Sequence, residues 1–219
     1  MDIIISELIR RACPQLTLSI ITCEVENSET PLDLWQEIEE EMEKISSTFT
    51  LENIKTRPEI SATRQVYKKL GKDPNRYRPS AEALCRRICK GEGIQRVNTL
   101  VDIINLISIR SGFSIGGFDA EKIQGDLQLE VGTANDIFQA IGRGILNVEG
   151  LPLFKDAAGG IGIPTSDNER TKLTMETRRL LMIINGYSGE KGLQEASEQA
   201  KMLLEKYAEA KEVNITFVK

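Results

Sequence analysis

The spacing of apolar positions changes several times along the chain, and each change marks a predicted element. Asp2 to Ser6 reads as a short strand and Glu7 to Ala12 as a helical turn that stops before Pro14. Leu16 to Val25, LTLSIITCEV, alternates and then runs apolar, as an inner strand of a sheet does. Leu34, Trp35, Ile38, Met42 and Ile45 follow at helical spacing, with Thr30 as the expected N-cap and Pro31 at the first helical position. The outer face of that helix, Glu37, Glu39, Glu40, Glu41 and Glu43, reads as solvated. Pro58 to Leu70 forms a further predicted helix with Ile60, Val66, Tyr67 and Leu70 inward and Arg64, Lys68 and Lys69 outward. Ser80 then caps a helix whose stripe is Ala81, Leu84, Cys85 and Ile88, ended by Gly91. Glu82 and Arg86 on its outer face have the spacing of a solvent ion pair.

Val97 to Ile109, VNTLVDIINLISI, is apolar around most of its circumference and predicts a buried helix. Asn98, Asp102 and Asn105 nevertheless form a narrow polar stripe along it. A buried polar group without a partner costs roughly 1–3 kcal/mol, so the stripe has to meet main chain, water or a ligand. The expectation is that all three open onto a cavity beside the glycine-rich turns, with an arginine-rich surface at its mouth.

Beyond this helix, Asp126 to Val131 alternates as a strand, and residues 137–148, broken by Gly142 and Gly144, suit strand and turn. Leu151 to Lys155 reads as a strand, the segment from Asp156 to Pro164 as a hairpin or tight turn, and Leu180 to Ile184 as a buried strand. Glu190 to Ala210 is a long amphipathic helix, and Val213 to Val218 closes the sheet. Strands and helices in no regular alternation predict an α+β fold, a mixed β-sheet flanked by helices, with residues 1–219 as a single domain.

Composition narrows the chemistry. The 219 residues, 40% hydrophobic, suffice for a core, and no run approaches the length of a membrane span. The start of the chain is too short and too acidic for a signal peptide, so a cytoplasmic location is expected. Histidine is absent, which removes the commonest general base and every Ser-His or Cys-His scheme. Cys85 and Cys89 share an apolar helical stripe and read as core thiols rather than metal ligands, and no cofactor is implied. Net charge is −5, yet Lys55 to Arg96 holds twelve Lys or Arg against four acids. Such a tract is the footprint of a polyanion-binding face if folding gathers it on one side, and of solvated helices if it does not. Within it Tyr77, flanked by Arg76 and Arg78, offers an aromatic face for an unstacked base, and Arg86 and Arg87 offer guanidinium groups to a phosphate backbone.

Two glycine clusters, Gly116-Gly117-Phe118-Asp119 and Gly159-Gly160-Ile161-Gly162, read either as turns that need positive φ or as loops whose N–H groups approach a ligand. Asp119 and Asp156 beside them could hold an amine or a hydroxyl. Neither is a dinucleotide or Walker loop.

The succession DPNRYRPSAEALCRR, VNTLVDIINLIS, IGGFDAEKIQGDLQL, KDAAGG and ERTKLTMETRRLL resembles stand-alone relatives of the editing module of phenylalanyl-tRNA synthetase, formed by the third and fourth domains of its beta subunit. The resemblance covers residues 57–186. It implies an α+β fold, a surface that meets tRNA, and a pocket that hydrolyses a wrongly attached amino acid. The family's recurring residues fall on Arg78, Ser80, Glu82, Arg87, Asn98, Asp102, Asn105, Gly117, Asp119, Gly125, Asp156, Arg170, Thr171, Thr174 and Thr177. Where such relatives carry a Trp-containing strand before the Arg-Thr segment, this chain reads IGIPTSDNERT. The candidate catalytic residues are Asp102, Asn105 and Asp119. Asn98, Gly116, Gly117, Asp156, Arg170 and Thr171 are candidates for binding substrate, and Arg76, Tyr77, Arg78, Arg86 and Arg87 for binding RNA. The implied partner is tRNA, charged with an amino acid, rather than DNA or a membrane. The alternatives to a free-standing deacylase are a non-catalytic RNA-binding module or amino-acid sensor, and a small-molecule or protein-interaction domain. None of these readings charges tRNA by itself.

Overall fold

A computed structural model describes residues 3–219; Asp2, at the start of the first predicted strand, lies outside them. The order is β1 (Ile3–Ile5), α1 (Glu7–Ala12), β2 (Thr17–Glu24), α2 (Leu32–Thr48), α3 (Pro58–Lys69), α4 (Ser80–Cys89), α5 (Thr99–Ser111), β3 (Ile115–Asp119) and β4 (Leu127–Val131). It continues with β5 (Gln139–Ala140), β6 (Gly144–Ile145), β7 (Pro152–Asp156), β8 (Gly159–Ile163), β9 (Ser166–Asp167), β10 (Arg179–Gly186), α6 (Leu193–Tyr207) and β11 (Lys211–Val218). The fold is α+β, as expected, but its strands divide. One sheet runs β1-β4-β7-β8-β9, mixed because β1 pairs parallel with β4, and a second, antiparallel, runs β11-β2-β10-β3.

The apolar runs in β2 and β10 arise because both faces of the second sheet are covered. Ile21, Cys23, Leu180, Met182 and Ile184 pack on one side with Leu34 and Ile38 of α2, Leu100, Ile103 and Ile107 of α5, and Ala200 and Leu204 of α6. The alternate residues Leu18, Ile20, Leu181 and Ile183 face Leu127, Leu129, Phe154 and Ile161 of the first sheet. The result is helices, sheet and sheet in layers, with β3 at the edge of the second sheet beside β8 and β9.

The glycine-rich stretch expected as a loop is strand β3. Strand propensity disfavours glycine, but here it answers a close approach. A Cβ on Gly116 would sit 2.6 Å from Phe118 Cζ, and one on Gly162 of β8 would sit equally close to the same atom. The two glycines thus let the Phe118 ring lie across both strands. In the second cluster Gly159 has positive φ, whereas Gly160 and Gly162 are ordinary strand residues.

Several polar side chains expected on the surface are structural. Arg64 points inward and meets Glu82 at 2.8 Å, with further donations to Pro74 O and Asn75 Oδ1, so Glu82 does not pair with Arg86 in solvent. This pair joins α3 to α4 and pins the loop between them. Arg57 donates to the carbonyls of Ile109 and Arg110, closing the end of α5. Thr30 does not cap α2; Pro31 takes that position, and the Thr30 hydroxyl turns to Asp102. Of the acidic face of α2, Glu41 is buried against Arg110 and Glu37 meets Lys206 and Tyr207.

Candidate functional site

A cavity of about 430 Å³ opens between α4, α5 and the edge where β3, β8 and β9 meet. Helix α5 lines it with Val101, Ile104, Asn105 and Ser108, one helical face, and α4 adds Ser80 and Leu84 at i, i+4. The remaining wall is Ile115 and Gly117 of β3, Ile163, Ser166 and Asp167, Lys172 and Leu173, with Ile141 from the β5–β6 hairpin at one side. A Cβ on Gly117 would lie 2.2 Å from Ile104 Cδ1, so a side chain here would displace Ile104 from its present packing.

Within this apolar lining the polar groups are few. One oxygen of Asp167 accepts the Gly117 N–H at 3.1 Å; the other has no hydrogen-bond partner among the described residues. Burial pushes the Asp167 carboxyl up to about 7, against the opposing pull of that N–H. The side chains of Asn105 and Ser80 likewise have no hydrogen bond among the described residues, and Lys172 is paired with Glu169 at 2.6 Å. The cavity therefore offers a carboxylate, an amide and a hydroxyl against aliphatic walls, the composition of a small-molecule site.

The polar stripe of α5 does not open as a unit. Asn98 is the N-cap, accepting the Val101 N–H at 3.0 Å. Asp102 is fully buried and accepts from the Thr30 hydroxyl at 2.5 Å and from Val97 N. Burial raises its pKa, opposed by those two donors and by Arg96. Of the three, only Asn105 lines the cavity, because Asn98 and Asp102 are taken up by main-chain groups and by the segment entering α2. Asp102→Ala is expected to lower unfolding free energy by about 2–3 kcal/mol, leaving the Thr30 hydroxyl and Val97 N–H unpaired, as a denaturant titration would show.

Asp119, Asp156, Arg170 and Thr171 also lie outside the cavity lining. Asp119 accepts from Glu121 N and the Thr177 hydroxyl and meets Lys122. Asp156 accepts from Gln124 N, Ala158 N and Arg170, 2.7 Å away, and these donors hold its carboxyl below the usual range against its burial. Arg170 also donates to Lys122 O, and Thr171 is buried. Gly116 faces the Phe118 ring and Asp167. Sequence reasoning missed Asp167, which belongs to no expected stripe. The signal lay in the strand glycines: hypothetical Cβ atoms on Gly162 and Gly116 would come within 3.0 and 3.3 Å of its Oδ1.

The basic tract separates into two populations. Arg57, Arg64 and Arg96 are bonded to carbonyls or carboxylates inside the structure. Arg76, Arg78, Arg86 and Arg87 converge with Lys90 and Arg143 on a cleft of about 260 Å³, Arg86 and Arg87 while also donating to main-chain carbonyls. Tyr77 is not a free aromatic face: it is buried with Tyr67, Phe138 and Leu151, and Lys72 and Arg76 stand over its ring.

The B3/4 domain family model matches residues 62–216. The phenylalanine–tRNA ligase beta subunit of Bartonella henselae is 33% identical over 93 residues, 41% of this chain and 11% of that protein. That of Bartonella quintana is 34% identical over 92 residues, with the same shares. The chain thus spans about a tenth of these relatives' length. An N-terminal fragment of the phenylalanyl-tRNA synthetase beta subunit from Pyrococcus horikoshii shares the fold over 100% of this chain and 54% of its own, with a TM-score of 0.50 and 13% identity. With the family model matched over more than half of its length, and with the layered α+β architecture of the synthetase fragment, the chain belongs to the B3/4 domain family as a phenylalanyl-tRNA synthetase beta-like module.

Proposed function

We propose that the chain binds aminoacylated tRNA and hydrolyses the ester of a wrongly attached amino acid held in the α4–α5 cavity. The observation that carries this reading is the Asp167 carboxyl, held by Gly117 N–H in the lining of a mostly aliphatic cavity. Its ionisation near pH 7 suits a general base, since proton transfer works best when the catalytic group titrates near the operating pH.

In this mechanism the Asp167 carboxylate takes a proton from a water molecule as the water oxygen bonds to the ester carbonyl carbon. The carbonyl oxygen becomes an oxyanion, stabilised by donation from the Asn105 amide and the Ser80 hydroxyl. Collapse of the intermediate breaks the bond to the ribose oxygen, which receives the proton from Asp167, leaving a free amino acid and uncharged tRNA. The aliphatic side chains of Leu84, Ile104, Ile115, Ile163 and Leu173 pack the amino-acid side chain and keep other water out.

The test is release of labelled amino acid from a panel of mischarged tRNAs. The purified chain is expected to deacylate at least one of them, and Asn105→Ala to slow that release ~10²-fold by removing an oxyanion donor. The rate is expected to rise with pH up to about 7 and then level, following ionisation of Asp167. Salt-sensitive tRNA binding without turnover on any member of the panel would instead support a non-catalytic binding module.

A further inference from the structure

We propose that the six-cation cleft is a phosphate site for the single strand leading into the cavity, and that the β5–β6 hairpin sets the spacing between phosphate and ester. This rests on the reading of the cavity as the place of the aminoacyl end. Arg76, Arg78, Arg86, Arg87, Lys90 and Arg143 line the cleft together with one apolar residue, Ala83. Glu92, which meets Arg87 and Lys90 at 3.6 Å, is the one carboxylate in salt-bridge contact with these six among the described residues. Such a concentration of like charge is costly unless an anion shares it.

The cations are also arranged. Arg86 donates to Leu51 O at 2.7 Å and Arg87 to Gly93 O at 3.2 Å, so main-chain groups orient both. The guanidinium groups of Arg78 and Arg143 have no hydrogen bond or ion pair among the described residues and are free to meet a ligand. Their planar forks suit phosphate oxygens. With one apolar residue in its lining, the cleft offers charge and little apolar surface, which favours a phosphodiester over the base of a free mononucleotide.

The cleft and the cavity share two walls. On α4, Ser80 and Leu84 face the cavity while Ala83, Arg86 and Arg87, with Lys90 at the helix C-cap, face the cleft. On the hairpin, Ile141 lines the cavity and Arg143, two residues on, lines the cleft. The hairpin is docked by main chain onto the segment that carries Asp167: Ile141 N donates to Asp167 O at 3.1 Å, and Gly142 N to Glu169 Oε1 at 3.2 Å. The position of Arg143 is thereby tied to that of Asp167, so the two pockets engage one molecule with a phosphate and an acyl group at a set separation. That description fits the acylated end of an RNA strand.

Binding of fluorescently labelled, uncharged tRNA to the full chain, measured by anisotropy across a salt series, tests this. Arg78→Glu/Arg143→Glu is expected to weaken binding ~10-fold or more at low salt and to flatten the salt dependence by about one per lost phosphate contact. Lys191→Glu, a charge reversal at an exposed position outside both the cleft and the cavity, is expected to bind as the unaltered chain does. Equal affinity and slope for the double variant would overturn the proposal. So would saturable binding of inorganic tripolyphosphate without binding of tRNA, which would mark a site for a free polyphosphate. Deacylation is not the readout, so failure of the editing reading shows in the release assay while failure of the phosphate site shows here.

Discussion

Replacing Asp167 by asparagine is expected to reduce amino-acid release from mischarged tRNA by ~10²–10⁴-fold, the range lost with a general base, while leaving the fold intact. The asparagine keeps the size of the side chain and an oxygen that can accept the Gly117 N–H, but it cannot take a proton from water. Single-turnover release over pH 5–9 is the measurement, and the variant is also expected to lose the rise in rate toward pH 7. Stability is expected to move the other way. Burial raises the folded-state pKa of Asp167 to about 7 from an ordinary 3.8. The folded state therefore holds a proton that the unfolded state has released, and the contribution of this group falls as pH climbs from about 4 to 7, then stays low. Asparagine carries no such charge, so the variant is expected to unfold at higher urea than the unaltered chain above pH 7. A variant that is both inactive and less stable at pH 8 would show that Asp167 is an element of the fold and not the base.

Glu82→Ala is expected to produce the largest loss of stability, about 3–5 kcal/mol, because it strands the Arg64 guanidinium inside the protein. Glu82 is 1% and Arg64 9% exposed, so solvent does not replace the lost carboxylate. The urea midpoint reports the loss, and Arg64→Met combined with Glu82→Leu is expected to recover much of it, since two apolar side chains leave no charge behind. The effect reaches function through position. Arg64 also holds Pro74 O and Asn75 Oδ1, which fix the loop presenting Arg76 and Arg78. Partial melting of that loop is expected to weaken tRNA binding before the whole chain unfolds, visible as anisotropy lost at lower urea than circular dichroism.

Much of the architecture is legible in the chain. The apolar runs of β2 and β10 and the helical stripes of α2 to α6 fall where their periodicity places them, because each is set by side chains within a few residues. Boundaries shift where a cap is chosen by distant contacts: Thr30 leaves α2 to bind Asp102, and Ser80 is the first residue of α4 rather than its cap. Strand β3 was hidden because glycine is a poor strand former on its own. Its fitness there comes from Phe118, Ile104 and Leu173, which need the space a Cβ would take.

By itself the sequence determined the α+β class, the order of motifs that carries the family resemblance, and the concentration of cations in the α3–α4 region. It also placed Asn105 and Gly117 among the candidate residues. Tertiary structure decided which charges are used up inside and which line the cavity and the cleft. Asp102 is sealed by a hydroxyl 72 residues away, whereas Asp167 is held in the cavity lining by a main-chain amide 50 residues away. Arg64 is consumed by Glu82 while Arg143, outside the basic tract, joins the cleft. The physical reason is that periodicity is local, whereas the burial and partners of a polar side chain depend on contacts made only when remote segments meet.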